Sequence, residues 1–248
     1  MKEAVVIFGK TARPGEVKTR LCPPLQAEEA ALLYDAFARD VFELVARYRD
    51  EEEASGNRRV KVVLAWDGEE SDRLAVFATR ELGFEFVGQD GGDLGARLRR
   101  IANWCRQKGA ESMMILGTDS PTLSMEHLQT ARLWLERCDV VFGPAFDGGY
   151  YLIGLGESRA ELPLPEEVVF DGIEWSTREV MEQSWRIARR QGLLCELLGY
   201  WYDIDTFEDL KRARFHLFEY LASREPLVGQ HTRSILRSQS LTGLGDEE

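Results

Sequence analysis

A group of basic side chains lies near the start of the chain, within residues 10–21. Its members are Lys10, Arg13, Lys18 and Arg20. The whole chain has a formal net charge of −12, so a local group of cations is a candidate site for an anionic ligand. Arginine makes bidentate contacts with phosphate, lysine acts as a point charge, and Gly15 lets the backbone approach a ligand. A solvated surface loop is the alternative interpretation.

Two acidic segments are candidates for binding a divalent cation. Asp119 lies just past the apolar run at residues 113–116, and Mg²⁺ commonly binds one or two such carboxylates together with phosphate oxygens and water. Asp205 is the candidate for the second metal-binding carboxylate, and Asp203 is the alternative. The alternatives are a local turn ahead of Pro121 for Asp119 and a helix cap for Asp205.

The third candidate segment is Asp147-Gly148-Gly149, which follows another apolar run. The two glycines permit backbone amides to face a ligand, and Asp147 can accept a hydrogen bond from a hydroxyl group or a base. Taken alone, the segment is also a hairpin signal. The phosphate-binding motifs of P-loop and Rossmann proteins are absent from the sequence.

Together these segments suit metal-assisted transfer on a nucleotide. The cations would hold phosphates, two carboxylates would hold the metal, and the metal would neutralise charge on the leaving phosphate.

Alternating apolar runs and amphipathic segments position these residues. The sequence predicts strands at residues 5–8, 60–66, 84–87, 113–116, 139–142, 150–154 and 197–201. It predicts helices at residues 27–48, 69–82, 94–107, 124–136, 175–191 and 207–221. This alternation indicates a single α/β domain, with a mostly parallel sheet, helices on both faces and ligands at the carboxyl ends of strands. Residues 223–248 contain few apolar side chains and are predicted to be a loosely docked tail.

Net charge and the placement of apolar, cysteine and histidine residues argue against several classes of function. The net charge of −12 disfavours nucleic-acid binding, and no apolar run reaches the ~20 residues that span a bilayer. The four cysteines are scattered and the three histidines have no metal-ligand spacing, so we expect reduced thiols and a cytoplasmic location. The oligomeric state is open, with a homodimer as one option.

The combination of motifs resembles the DUF2064 family over residues 1–222. The segments that carry the resemblance are FGK (8–10), PGEVKTRL (14–21), LYDAF (33–37), GTDSP (117–121), DGGYYLIGL (147–155) and WYDIDT (201–206). These glycosyltransferase-like proteins, often associated with radical-SAM or arsenosugar clusters, belong with the nucleotide-diphospho-sugar transferases of GT-A fold. They are similar to the phospholactate guanylyltransferases, whose opening loop also carries a Lys-[Thr/Ser]-Arg-Leu element.

The resemblance implies a nucleotide or nucleotide-sugar, a small-molecule acceptor, and Mg²⁺ or Mn²⁺. The phosphate- or nucleotide-binding residues would be Lys10, Arg13, Gly15, Lys18, Arg20, Thr118, Gly148 and Gly149. Asp119 and Asp205 would bind metal, and Asp119 and Asp147 would be the catalytic carboxylates.

The resemblance also leaves the type of transfer open. The family favours glycosyl transfer, which is our primary prediction. The single carboxylate of Thr118-Asp119-Ser120, where glycosyltransferases usually show a pair, favours nucleotidyl transfer as the alternative, as does the positive charge of the opening loop. A non-catalytic nucleotide-binding protein is the third option.

Overall fold

The computed structural model describes residues 3–56, 59–157, 162–238 and 241. Its strands are β1 (Glu3–Lys10), β2 (Val60–Asp67), β3 (Glu85–Gly88), β4 (Ser112–Leu116), β5 (Val140–Pro144), β6 (Tyr150–Leu155) and β7 (Cys195–Leu197). They form one sheet in the order β3-β2-β1-β4-β6-β5-β7. All neighbouring strands are parallel except β6, which runs antiparallel to both β4 and β5. The predicted mostly parallel α/β sheet is therefore confirmed.

The helices alternate with these strands along the chain. They are α1 (Ala27–Ala54), α2 (Arg73–Val76), α3 (Leu94–Gln107), α4 (Met125–Leu135), α5 (Pro165–Val169), α6 (Val180–Arg190), α7 (Phe207–Phe215), α8 (Ala222–Arg224) and α9 (Gln230–Ser238). A 3₁₀ turn at Thr19–Leu21 precedes α1, and π-helical turns at Phe77–Glu81 and His216–Leu221 extend α2 and α7. Within the described ranges, no helix is both long enough and apolar enough to cross a membrane.

Both faces of the sheet are buried, as continuous apolar strands require. On β1, Val5 and Ile7 belong to one core cluster, which α1 and α4 cover. Ala4 and Val6 point to the opposite cluster, which α3, α5 and α6 cover. The predicted placement of helices on both faces is thus confirmed.

Two predicted helices differ from the structure at their first turns. The helix predicted from residue 175 begins at Val180, because Ser176 has a positive φ of 65° and interrupts the helical path. The helix predicted from residue 69 begins at Arg73.

The predicted tail contains an ordered element, since residues 230–238 form α9. Asp40 on α1 accepts hydrogen bonds from the backbone N–H groups of His231 and Thr232, at 2.8 and 2.9 Å. Ile235 and Leu236 of α9 add apolar contacts to buried clusters. Because the tail carries few apolar residues, apolar spacing alone did not reveal this helix. The domain boundary at residue 222 stays a prediction, and residues 242–248 lie outside the described residues.

Candidate functional site

The loop after β1 is held against a late segment of the chain by a small apolar cluster. Leu21 and Ile204 are fully buried and share this cluster with Phe37 of α1. The loop reverses at Gly15 and Lys18, which have φ values of 78° and 47°. Lys18 is a non-glycine residue in the left-handed region, a conformation that is uncommon and often found at functional sites.

The late segment is also attached to the end of β4. The backbone N–H of Ile204 donates to the carbonyl oxygen of Asp119 at 2.9 Å. Thr206 is the N-cap of α7, and Asp209 completes its capping box. Because Thr206 caps the helix, the carboxylate of Asp205 is left to make other contacts.

Lys18 contacts both of the carboxylates that are predicted to bind metal. Its Nζ lies 2.5 Å from Asp119 Oδ1 and 2.8 Å from Asp205 Oδ1, and its side chain is only 5% exposed. Burial alone would lower the pKa of Lys18, but the charges of Asp119 and Asp205 outweigh burial and raise it above its ordinary value. Lys18 therefore stays protonated.

A cavity of about 360 Å³ opens beside this cluster, at the carboxyl ends of β1, β2 and β4. The structure brings together six of the predicted site residues in its lining. They are Lys10, Lys18, Arg20, Thr118, Asp119 and Asp205. Lys10 Nζ donates to the carbonyl of Glu16 at 2.9 Å, and Arg20 Nη1 lies 3.7 Å from Asp205 Oδ2.

Tyr34 on α1 ties the two sides of this cavity together, although the sequence did not single it out as a site residue. Its buried hydroxyl accepts hydrogen bonds from the backbone N–H of Lys10 at 3.0 Å and from Thr118 Oγ1 at 2.9 Å. Burial, with the nearby charge of Asp119, raises the pKa of Tyr34 to about 12, so it stays neutral.

The opposite side of the cavity is lined by Asp67, Gln89 and Leu94. Gln89 Nε2 donates to the carbonyls of Gly9 and Ala65, at 3.0 and 2.9 Å. Arg97 Nη1 donates to Asp67 Oδ2 at 2.9 Å. Asp67 ends β2 and Gln89 follows β3, so the strand-end rule that selected Asp119 would have selected them too.

Five other predicted residues do not line this cavity. They are Arg13, Gly15, Asp147, Gly148 and Gly149. Arg13 points to solvent, where Glu16 lies 3.6 Å away. The loop at residues 145–149 is the hairpin between β5 and β6. The N–H groups of Gly148 and Gly149 are bonded within it, to the Ala145 carbonyl and to Asp147 Oδ1. A role for these five residues in ligand binding stays a prediction.

Asp203 lies beside the cluster but faces elsewhere. Its carboxyl group accepts a hydrogen bond from the hydroxyl of Ser120. Burial and the charge of Asp119 raise the pKa of Asp203 to about 7, although the Ser120 hydrogen bond and Lys18 oppose the shift. Asp205 contacts Lys18 in the structure. Which of Asp203 and Asp205 is the second metal ligand stays a prediction.

The donor chemistry of the pair fits a hard divalent cation. Asp119 Oδ1 and Asp205 Oδ1 already share one positive group, and carboxylate oxygens are the ligands that Mg²⁺ and Mn²⁺ prefer. In the part of the chain that the structure describes, no group of three or more His, Cys, Asp or Glu side chains could hold a metal. Further ligands would therefore be phosphate oxygens and water.

Comparisons with known proteins agree with this architecture. The family model described as "Uncharacterized protein conserved in bacteria (DUF2064)" matches residues 51–177. A candidate nucleotide-diphospho-sugar transferase from Desulfovibrio desulfuricans G20 is similar at 30% identity, with a TM-score of 0.77, over 96% of this chain and 95% of that one. Curated proteins give no match in sequence.

A more distant structure shares the fold alone. It is a cytidylyltransferase from Leptospira borgpetersenii serovar Hardjo-bovis (strain JB197), 14% identical, with a TM-score of 0.51 over 97% of this chain and 99% of that one. The family match covers about half of the chain, and the structural relative at 30% identity covers 96% of it. The chain therefore belongs to the DUF2064 family and has the nucleotide-diphospho-sugar transferase fold.

Proposed function

We propose that this protein is a metal-dependent glycosyltransferase that moves a sugar from a nucleoside-diphosphate sugar to a small acceptor. The observation that carries the proposal is the convergence of Asp119 and Asp205 on one positive charge, inside a cavity also lined by Lys10 and Arg20. Basic side chains beside paired carboxylates suit a diphosphate and its divalent cation, because each charge then has a partner.

The cavity offers two regions for the donor. Lys10, Lys18 and Arg20 would bind the diphosphate, since they are the cations of its lining. Asp67 and Gln89, on the opposite side, would face the nucleoside. Asp119 and Asp205 would hold Mg²⁺ or Mn²⁺, which when bound neutralises the charge of the departing diphosphate.

The acceptor would approach from the hairpin between β5 and β6. In the reaction, the bond between the sugar and the diphosphate oxygen breaks, an acceptor hydroxyl oxygen bonds to the sugar, and its proton passes to a base. Asp147 is the candidate for this base, because it lies in that hairpin and is exposed. The adjacent Phe146 stacks on Tyr200 with 5.6 Å between ring centroids, and both rings are exposed, so they offer an apolar surface to an acceptor.

Nucleotidyl transfer is the second candidate function. In that reaction an acceptor phosphate attacks the α-phosphate of a nucleoside triphosphate and pyrophosphate leaves. It is favoured by the single carboxylate of the Asp119 segment and by the three cations of the cavity, which suit a triphosphate.

Ligand-induced thermal stabilisation separates these functions. The purified protein is heated with Mg²⁺ or Mn²⁺ and panels of nucleoside-diphosphate sugars or nucleoside triphosphates. A ligand at ~100 times its Kd adds about 2.7 kcal/mol of stability. Greater stabilisation by sugar nucleotides supports glycosyl transfer, greater stabilisation by triphosphates supports nucleotidyl transfer, and none from either panel contradicts both.

A matched pair of variants locates the binding site. Arg20 lines the cavity and Arg13 does not, although both lie in one loop and are 68% and 56% exposed. Arg20→Gln should reduce the ligand-induced shift, whereas Arg13→Gln should leave it unchanged. Equal losses in the two variants would show that the phosphates bind outside this cavity.

A further inference from the structure

Lys18 holds the oxygen atoms that the proposed metal ion needs. Its Nζ contacts Oδ1 of both Asp119 and Asp205, and Mg²⁺ would approach such oxygens to about 2.1 Å. An ammonium group and a divalent cation on the same two oxygen atoms would repel each other at close range. The two cations therefore compete for this pair of carboxylates.

The positive charges already beside the two carboxylates disfavour binding of a metal ion without nucleotide. The two carboxylates carry two negative charges, and Lys18 together with Arg20, 3.7 Å from Asp205 Oδ2, supplies two positive charges. The pair is already neutralised before any ligand arrives. A divalent cation becomes favourable when phosphates bring further negative charge into the same cavity.

Only the side chain of Lys18 would have to move, because its backbone is held in place. Val17 and Leu21 on either side are buried, and the N–H of Leu21 donates to the carbonyl of Lys18 at 2.9 Å. The ammonium group of a lysine is carried by a flexible four-carbon stem. Lys10 lines the same cavity, so phosphates would bind near it. A phosphate group in the cavity thus offers Lys18 another anionic partner.

We infer that Lys18 is an exchangeable counter-ion that occupies the Asp119–Asp205 pair in the nucleotide-free protein and moves to the phosphates when the nucleotide binds. Metal and nucleotide then bind as a unit, and metal alone binds weakly. The inference rests on the proposed function for its nucleotide, while the competition between Lys18 and metal can be measured by itself.

The first test measures Mn²⁺ binding without nucleotide, by electron paramagnetic resonance of the free ion. Lys18→Met removes the charge with a side chain of similar length and should tighten Mn²⁺ binding by about tenfold or more, because the repulsion is gone. Lys10→Met is the matched control, since Lys10 lines the same cavity but bonds to the Glu16 carbonyl. It should leave Mn²⁺ binding unchanged.

A double variant shows where the added Mn²⁺ binds. Lys18→Met with Asp119→Asn should lose the gained affinity, because one of the two carboxylates is gone. Unchanged Mn²⁺ affinity in folded Lys18→Met, or an equal gain in Lys10→Met, would overturn the inference.

The wild-type protein gives an independent readout that does not depend on a variant's folding. Mn²⁺ affinity is measured with and without the nucleoside diphosphate that stabilises the protein most. The nucleotide should tighten Mn²⁺ binding within the usual range of coupling, about 5- to 150-fold, and equal affinities would overturn the inference. If no nucleotide binds, the proposed function fails, and the comparison of Lys18→Met with wild type still decides whether Lys18 excludes metal.

Discussion

Two carboxylate clusters join distant parts of this chain in different ways. In the cation cluster, Asp119 and Asp205 meet on Lys18. In the helix attachment, Asp40 of α1 meets the start of α9 at His231 and Thr232. Both clusters bring together residues more than 180 positions apart.

The two clusters differ in the hydrogen-bond and ion-pair partners of their carboxylates. Asp40 is 5% exposed and accepts from two backbone N–H groups and, at 2.6 Å, from Thr232 Oγ1. Asp119 and Asp205 have side chains 44% and 34% exposed, and their shared partner is one flexible lysine. A carboxylate saturated by fixed donors stabilises the fold, whereas a half-exposed carboxylate with a movable partner can accept a ligand.

The largest effect should come from Asp119→Asn, which removes a carboxylate of the cation cluster. We expect transfer activity to fall by about 100-fold or more, because charge stabilisation in the site is lost, with little change in the unfolding free energy. Rates on the best donor from the thermal panel, with urea unfolding in parallel, measure both. Asp171→Asn, a change at a 72% exposed carboxylate, is the control. Full activity in Asp119→Asn would show that this carboxylate takes no part in the transfer reaction.

Asp40→Asn should have the next largest effect, and on stability alone. The amide NH₂ would face donors, so we expect a loss of about 2 kcal/mol in the free energy of unfolding, with the ligand-induced shift unchanged. Asp50→Asn on the same helix, with a 66% exposed side chain, should change stability by less than about 0.5 kcal/mol. Equal effects of the two changes would show that the hydrogen bonds of Asp40 to α9 add nothing to stability.

A pH-dependent effect on stability is expected at Asp203, beside the cation cluster. Its folded pKa of about 7 exceeds the unfolded value, so the folded protein binds this proton more tightly. Stability should therefore fall as the pH rises from about 4 to about 7, by at most about 1.4 kcal/mol per pH unit. Asp203→Asn should reduce this fall when urea midpoints are compared across that range without divalent metal. The same pH profile in both proteins would contradict the assignment.

The smallest effect should come from Glu43→Gln in the helix attachment. Glu43 Oε1 lies 2.8 Å from His231 Nε2, but the two side chains are 31% and 35% exposed. Partly exposed pairs contribute little, so we expect a change below about 1 kcal/mol by urea unfolding. A loss as large as that of Asp40→Asn would mean that the partly exposed pair attaches α9 as strongly as the saturated aspartate does.

The sequence predicted those parts of the site that follow from strand order. Lys10 ends β1 and Asp119 follows β4, and parallel neighbouring strands bring their carboxyl ends together, so both line the cavity. The capping pattern alone could not decide whether Asp205 or Thr206 caps α7. In the structure Thr206 is the cap, and the carboxylate of Asp205 contacts Lys18 instead.

The remaining parts depend on contacts between distant residues. Tyr34 lies one or two turns inside a helix, and only its packing shows that the hydroxyl reaches Lys10 and Thr118. At Gly148, the φ of 96° and the closeness to the backbone of Arg178 already account for a glycine, whether or not a ligand also binds there. A glycine pair in a sequence indicates unusual backbone and does not say what approaches it.

The position of the antiparallel strand β6 sets the spacing between two candidate catalytic carboxylates, Asp119 and Asp147. It separates β4 from β5, so the two strand ends that carry Asp119 and Asp147 are two inter-strand spacings apart, about 10 Å. A gap of that width is wider than one sugar ring. If the proposed function holds, the sheet order itself would leave room for a sugar between these two carboxylates.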